Sequence, residues 1–411
     1  MDSLRLFAKS SAKSVRSFLH IHDEVNGNHY DDIEVLDLFD WEVKSLEGVV
    51  RPNATQREVA GTCTPPPGVP TTCCIGSFST GGAVTAANRG KCAKSLIEDG
   101  GLEALRQSTL QFFKDNALRE NNAMACDVCR IVEIARRDNL TVALMGDSMH
   151  NQVHDGLLCE LQRRGYNVTT EYIDYNPKNE VTWIYRRFTL SILLHIQSPS
   201  WGEQESITIA FHRMYLLPLV SDDVAMLTAN IDVLVLGFGL HWWYDENQPH
   251  VFRTPKYYVS AMRDLFRNVT EQGTVKLLAH RETSAQHFDA DGGEFSLWYP
   301  NREHLSQECK PMLYDGESVA WREKAIQRAA NQSGHTLVMA GPNMPPHQHN
   351  TNQGVQEVVV LPYFNFTAKH HGMHPLQGED THDCTHYCSS PYVYYPIWRS
   401  LRFAMERQFA Q

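Results

Sequence analysis

No stretch of this chain reaches the roughly 18 consecutive apolar residues that a bilayer-crossing helix requires, so nothing in the sequence reads as a membrane span. An excess of basic residues is also missing: 37 Lys and Arg stand against 48 Asp and Glu, a net charge of −11. That balance argues against nucleic acid or an anionic membrane surface as a partner, because both are held through clustered positive charge. No Gly-rich phosphate loop signals a nucleotide. There is no HExxH, and the one CxxC is not followed by an HxxxH at the paired spacing of a zinc site. Internal repeats and long low-complexity stretches are absent. Met1–Phe18 does not read as a secretory signal: it spaces Arg5, Lys9, Lys13 and Arg16 among Leu, Phe, Ala and Ser, without a continuous apolar core. The segment has the look of an amphipathic transit sequence, although Asp2 speaks against that.

Other features point to an oxidising compartment. Ten cysteines permit five disulfides. Six Asn-x-Ser/Thr sequons occur, at Asn53, Asn139, Asn167, Asn268, Asn331 and Asn365. Together they favour the secretory-pathway lumen, such as the Golgi, or the cell exterior. A start that is incomplete or misplaced, and has lost a signal or anchor, would reconcile this with the N-terminus. A cytosolic or organellar protein with idle sequons is the competing expectation.

Composition changes along the chain. Residues 1–60 are polar, with an acidic stretch over 23–40, and read as a mobile arm. Residues 61–135 read as a cysteine-containing lobe. Pro65-Pro66-Pro67-Gly68 rules out regular structure there, while 102–118 and 131–137 have helical spacing. Cys126-Asp127-Val128-Cys129 is read as structural disulfide cysteines rather than zinc or redox chemistry. From 136 to 411 strands and helices alternate. Strand signals lie at 142–145, 168–173, 182–196, 206–211, 231–236, 275–279, 336–340 and 358–363. Helical patterns lie at 150–164, 220–229, 255–271, 318–332 and 392–409. Apolar runs such as Asp232-Val233-Leu234-Val235-Leu236 suit strands buried on both faces of a parallel sheet. The expected fold is a three-layer α/β/α domain with a mainly parallel sheet and its ligand at the carboxyl edge of the strands.

Chemistry concentrates at two places. Val142-Ala143-Leu144-Met145 runs into Gly146-Asp147-Ser148, and helical spacing follows at Val153, Leu157, Leu158 and Leu161. A serine at that turn stands where a nucleophile and an oxyanion donor are useful, although a helix-capping serine is the bland reading. Near the C-terminus, Asp383 and His386 stand three residues apart and share a side of a turn, so the carboxylate can orient the imidazole. Asp380 is an alternative partner, for His382 or His386. His370, His371, His374, His382 and His386 with Asp380, Asp383, Cys384 and Cys388 also form a tract that zinc could use. Cys384 and Cys388 could bridge other cysteines and pin the histidine-bearing loop. His241, Trp242, Trp243 and Tyr244 follow a strand, either as packing or as a face for a sugar ring. Arg281 and His287 follow the next strand.

Serine early and Asp-x-x-His late resembles the arrangement of SGNH (GDSL-type) hydrolases. Four segments in order narrow the resemblance to PC-esterases and trichome-birefringence-like polysaccharide O-acetyltransferases. They are Gly146-Asp147-Ser148 with Gln152 and Leu158-Cys159; Gly239-Leu240-His241-Trp242-Trp243; Arg281-Glu282-Thr283-Ser284-Ala285-Gln286-His287-Phe288; and His374-Pro375 with Asp383-Cys384-Thr385-His386-Tyr387-Cys388. The Ser148–Gln152 gap is one residue shorter than in the plant form and fits the animal-type PC-esterases and the sialate O-acetyltransferase better. The family's Ser-Pro is Ser284-Ala285 here, and residues 1–130 do not match. Leu236-Gly237-Phe238-Gly239 lacks the oxyanion-hole Asn of many SGNH enzymes.

The resemblance implies an SGNH (flavodoxin-like) fold and a catalytic Ser148, Asp383 and His386. An oxyanion hole would be built from the N–H groups of Ser148 and of Gly237 or Gly239. Asp147, Gln152, His241, Trp242, Arg281 and His287 would face substrate. It further implies O-acetyl transfer to a glycan, or O-acetyl ester hydrolysis from one. No metal or tightly bound cofactor is expected, only an acetyl donor if the enzyme is a transferase. The expected partner is a carbohydrate or glycoconjugate, and nothing bears on oligomeric state. The missing Asn keeps a catalytically silent glycan-binding protein as a rival, beside a serine esterase for small or lipid esters.

Overall fold

The computed structural model describes residues 101–116, 118, 126–174, 190–202, 205–213, 228, 230–240, 242, 255–294, 308–312, 321–345, 356–374, 376–377, 381–387 and 391–409. The arm at 1–60, Cys63, Cys73, Cys74 and Cys92, most of the helix expected at 220–229, and the first half of the strand expected from 182 lie outside them. So do His241, Trp243, Tyr244, Asp380 and Cys388.

In chain order the described elements are α1 (Gly101–Asp115), α2 (Asp127–Arg137), β1 (Val142–Gly146), α3 (Ser148–Arg163), β2 (Asn167–Asp174), β3 (Leu190–Gln197), β4 (Ile207–Arg213), β5 (Val233–Gly237), α4 (Pro255–Gln272), β6 (Leu277–Arg281), α5 (Trp321–Gln332), β7 (Thr336–Met339), β8 (Glu357–Leu361) and α6 (Pro391–Phe409). A single helical turn at Phe364–Thr367 and a short ribbon of Leu376–Gln377 against Thr381–His382 precede α6. Each of the eight strand signals in the sequence corresponds to one of β1–β8.

The fold is α/β, with an eight-stranded mixed sheet in the order β2-β3-β4-β1-β5-β6-β8-β7. The pairs from β4 through β1, β5, β6 and β8 to β7 are parallel, while β2 and β3 add on antiparallel at one edge. Side chains alternate between two apolar cores, as the period of a strand requires. Val142, Leu144, Val233, Val235, Leu277, Ala279, Val359 and Leu361 join residues of α1, α2, α3 and α6 in one core. Ala143, Met145, Leu234, Leu236, Leu278 and Val358 join residues of α4 and α5 in the other. Burial on both sides explains why β1 and β5 are continuous apolar runs, while β6, buried throughout as well, ends in His280 and Arg281.

The residues from α1 and α2 share a core with the sheet. Asp127, in the first turn of α2, accepts from Arg399 Nε at 2.8 and 2.9 Å and pairs with Arg402 Nε at 2.8 Å, which ties α2 to α6. That contact and the Cys126 cap start α2 four residues earlier than its apolar spacing suggests. Cys126 is bonded to Cys129, closing the CxxC on itself, and Cys309 is bonded to Cys384. Such pairs are compatible with an oxidising compartment. No helix among the described residues is long and apolar enough to cross a membrane.

The sheet order positions the site. β1 has β4 on one side and β5 on the other, so the chain departs from it in opposite directions. The carboxyl end beside such a strand opens a crevice in open α/β sheets, and Ser148 follows β1 there.

Candidate active site

The turn after β1 is built around two glycines paired in register, Gly146 and Gly237. A Cβ on Gly146 would lie 2.2 Å from the Gly237 carbonyl oxygen and from His150 Nδ1. A Cβ on Gly237 would lie 2.1 Å from His150 Cε1 and 2.7 Å from Arg281 Nε. The absent side chains leave room for the His150 ring and the Arg281 guanidinium beneath the turn. Burial, with Arg281 and His280 nearby, pushes His150 well below the usual histidine range.

Asp147 caps α3, its Oδ1 accepting from the Met149 N–H at 3.2 Å. Its Oδ2 accepts from the Leu240 N–H at 3.3 Å, and Arg281 Nη2 stands 3.8 Å from Oδ1. One carboxylate therefore joins the serine turn to the loop after β5.

That loop is held from behind. The Phe238 carbonyl accepts from Tyr258 Oη and from Thr283 Oγ1, both at 3.0 Å. The Gly239 carbonyl accepts from Arg322 Nε at 2.7 Å, and Arg322 Nη2 also donates to the Trp242 carbonyl at 2.9 Å. Glu294 holds Arg322 through a two-pronged ion pair. Gly239 has φ +147°, a conformation that favours glycine. With the carbonyls on either side of it engaged, the Gly239 N–H has no partner among the described residues.

The second half of the site comes from the segment before α6. Ser148 Oγ lies 2.7 Å from His386 Nε2, and His386 Nδ1 lies 2.6 Å from Asp383 Oδ2. Asp383 Oδ1 accepts the N–H groups of Thr385 at 3.0 Å and His386 at 3.1 Å. Burial alone would raise the Asp383 carboxyl, but the charge and hydrogen bonds of His386, with the Thr385 N–H, outweigh it and hold it at about 2. All three side chains are buried.

Four connections fix the His386 loop. The Cys309–Cys384 bond anchors it, as does the His287 N–H donating to the Cys384 carbonyl at 2.9 Å. Gln152, one turn along α3 from Ser148, donates from Nε2 to the Tyr387 carbonyl at 2.7 Å and accepts the Tyr387 N–H at 3.0 Å. His374 Nδ1 lies 2.6 Å from the His386 carbonyl oxygen, and His374 Nε2 lies 2.7 Å from His287 Nδ1.

The structure thus brings Ser148, His386 and Asp383 together, with Gly237 and Gly239 on the adjacent strand end. Of the residues expected to face substrate, Asp147, Gln152, Arg281 and His287 are buried and bonded to protein groups, and Trp242 is buried against Tyr258. Tyr258, Thr283, Glu294 and Arg322 were not among the sequence candidates. Thr283 lies within the Arg281–Phe288 segment without being one of its marked positions, and Tyr258, Glu294 and Arg322 come from separate segments that carry no motif. Among the described residues, no group of three or more His, Cys, Asp and Glu side chains is placed to hold a metal ion. His370 instead contacts Ser108 Oγ at 3.0 Å.

Compared with protein-family models, curated proteins and solved structures, the chain gives no match.

Proposed function

We propose that this chain is a serine-dependent acyl-ester enzyme of SGNH type, with a three-layer α/β/α fold, acting on O-acetyl groups of a glycan. The observation that carries the reading is His386 bridging Ser148 Oγ and Asp383 Oδ2 at 2.7 and 2.6 Å. Ser148 Oγ gives its proton to His386 Nε2 and attacks the ester carbonyl carbon. Asp383 accepts the Nδ1–H hydrogen bond and stabilises the imidazolium. The Ser148 and Gly239 N–H groups receive the negative oxygen of the tetrahedral intermediate. Collapse expels the alcohol oxygen, which takes the proton from His386 Nε2, and leaves acyl-Ser148. Water or a sugar hydroxyl then gives its proton to His386, attacks the acyl carbon and frees Ser148, which recovers the proton. Water makes the enzyme an esterase, and a sugar hydroxyl makes it a transferase.

The carbohydrate substrate rests on the resemblance of the four sequence segments. Exposure of the sequons at Asn139, Asn167, Asn331 and Asn365 supports passage through a secretory lumen, whereas Asn268 is buried. The test is acetate release from p-nitrophenyl acetate and from O-acetylated glycans, with and without an acceptor sugar. Turnover that Ser148→Ala lowers by several orders of magnitude supports the reading. Turnover unchanged by that substitution overturns it.

A further inference from the structure

Behind His386 lies a pair of buried histidines that the acyl-transfer steps do not use. Three contacts run in series: Ala368 carbonyl to His287 Nε2 at 3.2 Å, His287 Nδ1 to His374 Nε2 at 2.7 Å, and His374 Nδ1 to the His386 carbonyl at 2.6 Å. Each needs one proton. Burial, followed for His287 by the neighbouring His374, holds His287 at about 2 and His374 at about 4. The ionisable groups around them are His370, His371, Asp383, His386 and Tyr387. At neutral pH the two rings are therefore uncharged and share two protons among three contacts.

Tyr387 decides where those protons sit. Its hydroxyl donates to the Ala285 carbonyl at 2.8 Å and so presents its oxygen lone pairs to His287 Nδ1 at 3.4 Å. A proton on His287 Nδ1 satisfies both Tyr387 Oη and His374 Nε2. His374 must then carry its proton on Nδ1, where the His386 carbonyl receives it. The contact left without a proton is the longest of the three, between His287 Nε2 and Ala368. The His374 ring also lies against the Tyr387 ring, with centroids 4.4 Å apart.

We propose that His287 and His374 are positioning residues for His386: a one-way pair of hydrogen bonds, from His287 to His374 and from His374 to the His386 carbonyl, that holds the imidazole against Ser148. The proposal rests on His386 being the base, and its test is chosen to stand apart from that reading.

Ring-15N-labelled histidine in the full-length chain reports each tautomer directly. His287 and His374 are both expected as Nδ1–H tautomers near pH 7. His374→Asn keeps an amide at the Nδ1 position and His374→Gln moves it to the Nε2 position. The ring resonances of His386 should therefore stay close to wild type in His374→Asn and shift or broaden in His374→Gln. An Nε2–H tautomer at His374, or His386 resonances unmoved by His374→Gln, overturns the proposal, and the wild-type tautomer decides the matter if either variant fails to fold. Fluorophosphonate labelling is the second readout. His374→Gln should slow the reaction of Ser148 by roughly ten- to a hundredfold, as small misplacements of a reacting group do, and His374→Asn should recover most of it. Wild-type protein that does not label at Ser148 would count against the acyl-transfer reading alone, with the tautomers still deciding the relay.

Discussion

Gln152 and Tyr387 face each other through a reciprocal amide–peptide contact, donating at 2.7 Å and accepting at 3.0 Å, although 235 residues separate them. Gln152 stands one turn past Ser148, and Tyr387 directly follows His386. This contact ties the helix that begins at Ser148 to the residue after His386. Gln152→Ala leaves a buried N–H and carbonyl of Tyr387 unpaired, which costs about 1–3 kcal/mol for each unsatisfied group. Thermal unfolding should show that loss, and the rate of Ser148 acylation should fall by roughly tenfold or more. Gln152→Glu, which keeps the acceptor and loses the donor, should fall between Gln152→Ala and wild type on both measures.

Much of this arrangement was legible in the sequence because the signals are local. An apolar run broken by Gly146-Asp147-Ser148 marks a strand end and a helix start. Asp383 and His386 stand three apart, so their pairing needs only a turn. The central strands β1 and β5 are buried on both faces and read as apolar runs. Pairings between distant segments leave no such trace. Nothing local joins Cys309 to Cys384, Glu294 to Arg322, or His287 to His374, because the sheet and the last helix bring them together only in the folded chain. For the same reason Gln152 and Arg281 look like substrate contacts in the sequence, while in the structure their hydrogen bonds go to the Tyr387 peptide and to the carbonyls of Gly237 and Glu282.

The loop after β5 should tolerate no side chain at its centre. Gly239 has φ +147°, and a Cβ there would come within 2.3 Å of Thr283 Oγ1. Gly239→Ala is expected to lose more than about 1 kcal/mol of stability from the backbone alone. It also displaces the N–H assigned to the oxyanion, so turnover should fall on the order of a hundredfold. Kinetics on a small acetate ester, beside a melting curve, would separate the two effects.

Acid and neutral pH should act on different carboxyls. Burial first, and Glu323 second, raise Glu282 to about 7 from an ordinary 4.5. A raised folded-state pKa gives stability that is present below pH 4.5 and lost as pH rises towards 7. Glu282→Gln keeps an acceptor for the Tyr363 and Phe364 N–H groups. Its melting temperature relative to wild type should therefore climb between pH 4.5 and 7 and level off above. Asp383 behaves in the opposite sense. Its pKa of about 2 lies below the ordinary 3.8, so it contributes about 2 kcal/mol above pH 4 that is lost as pH falls towards 2.

The last helix should detach readily if its buried ion pair is broken. Asp127→Ala takes the carboxylate from buried Arg399 and leaves Arg402 only its Glu406 contact, a change that costs about 3–5 kcal/mol. Denaturant titration should register that loss. Since α6 directly follows the His386 segment, labelling of Ser148 should fall before global unfolding is complete.

The central claim is an activated Ser148, and intact-mass analysis with peptide mapping after treatment with a serine-directed fluorophosphonate tests it most directly. The expected result is one adduct per chain, on Ser148, which disappears in His386→Ala while the variant remains folded. A folded wild-type protein that carries no adduct, or one labelled equally well in His386→Ala, would contradict a Ser148–His386–Asp383 nucleophile.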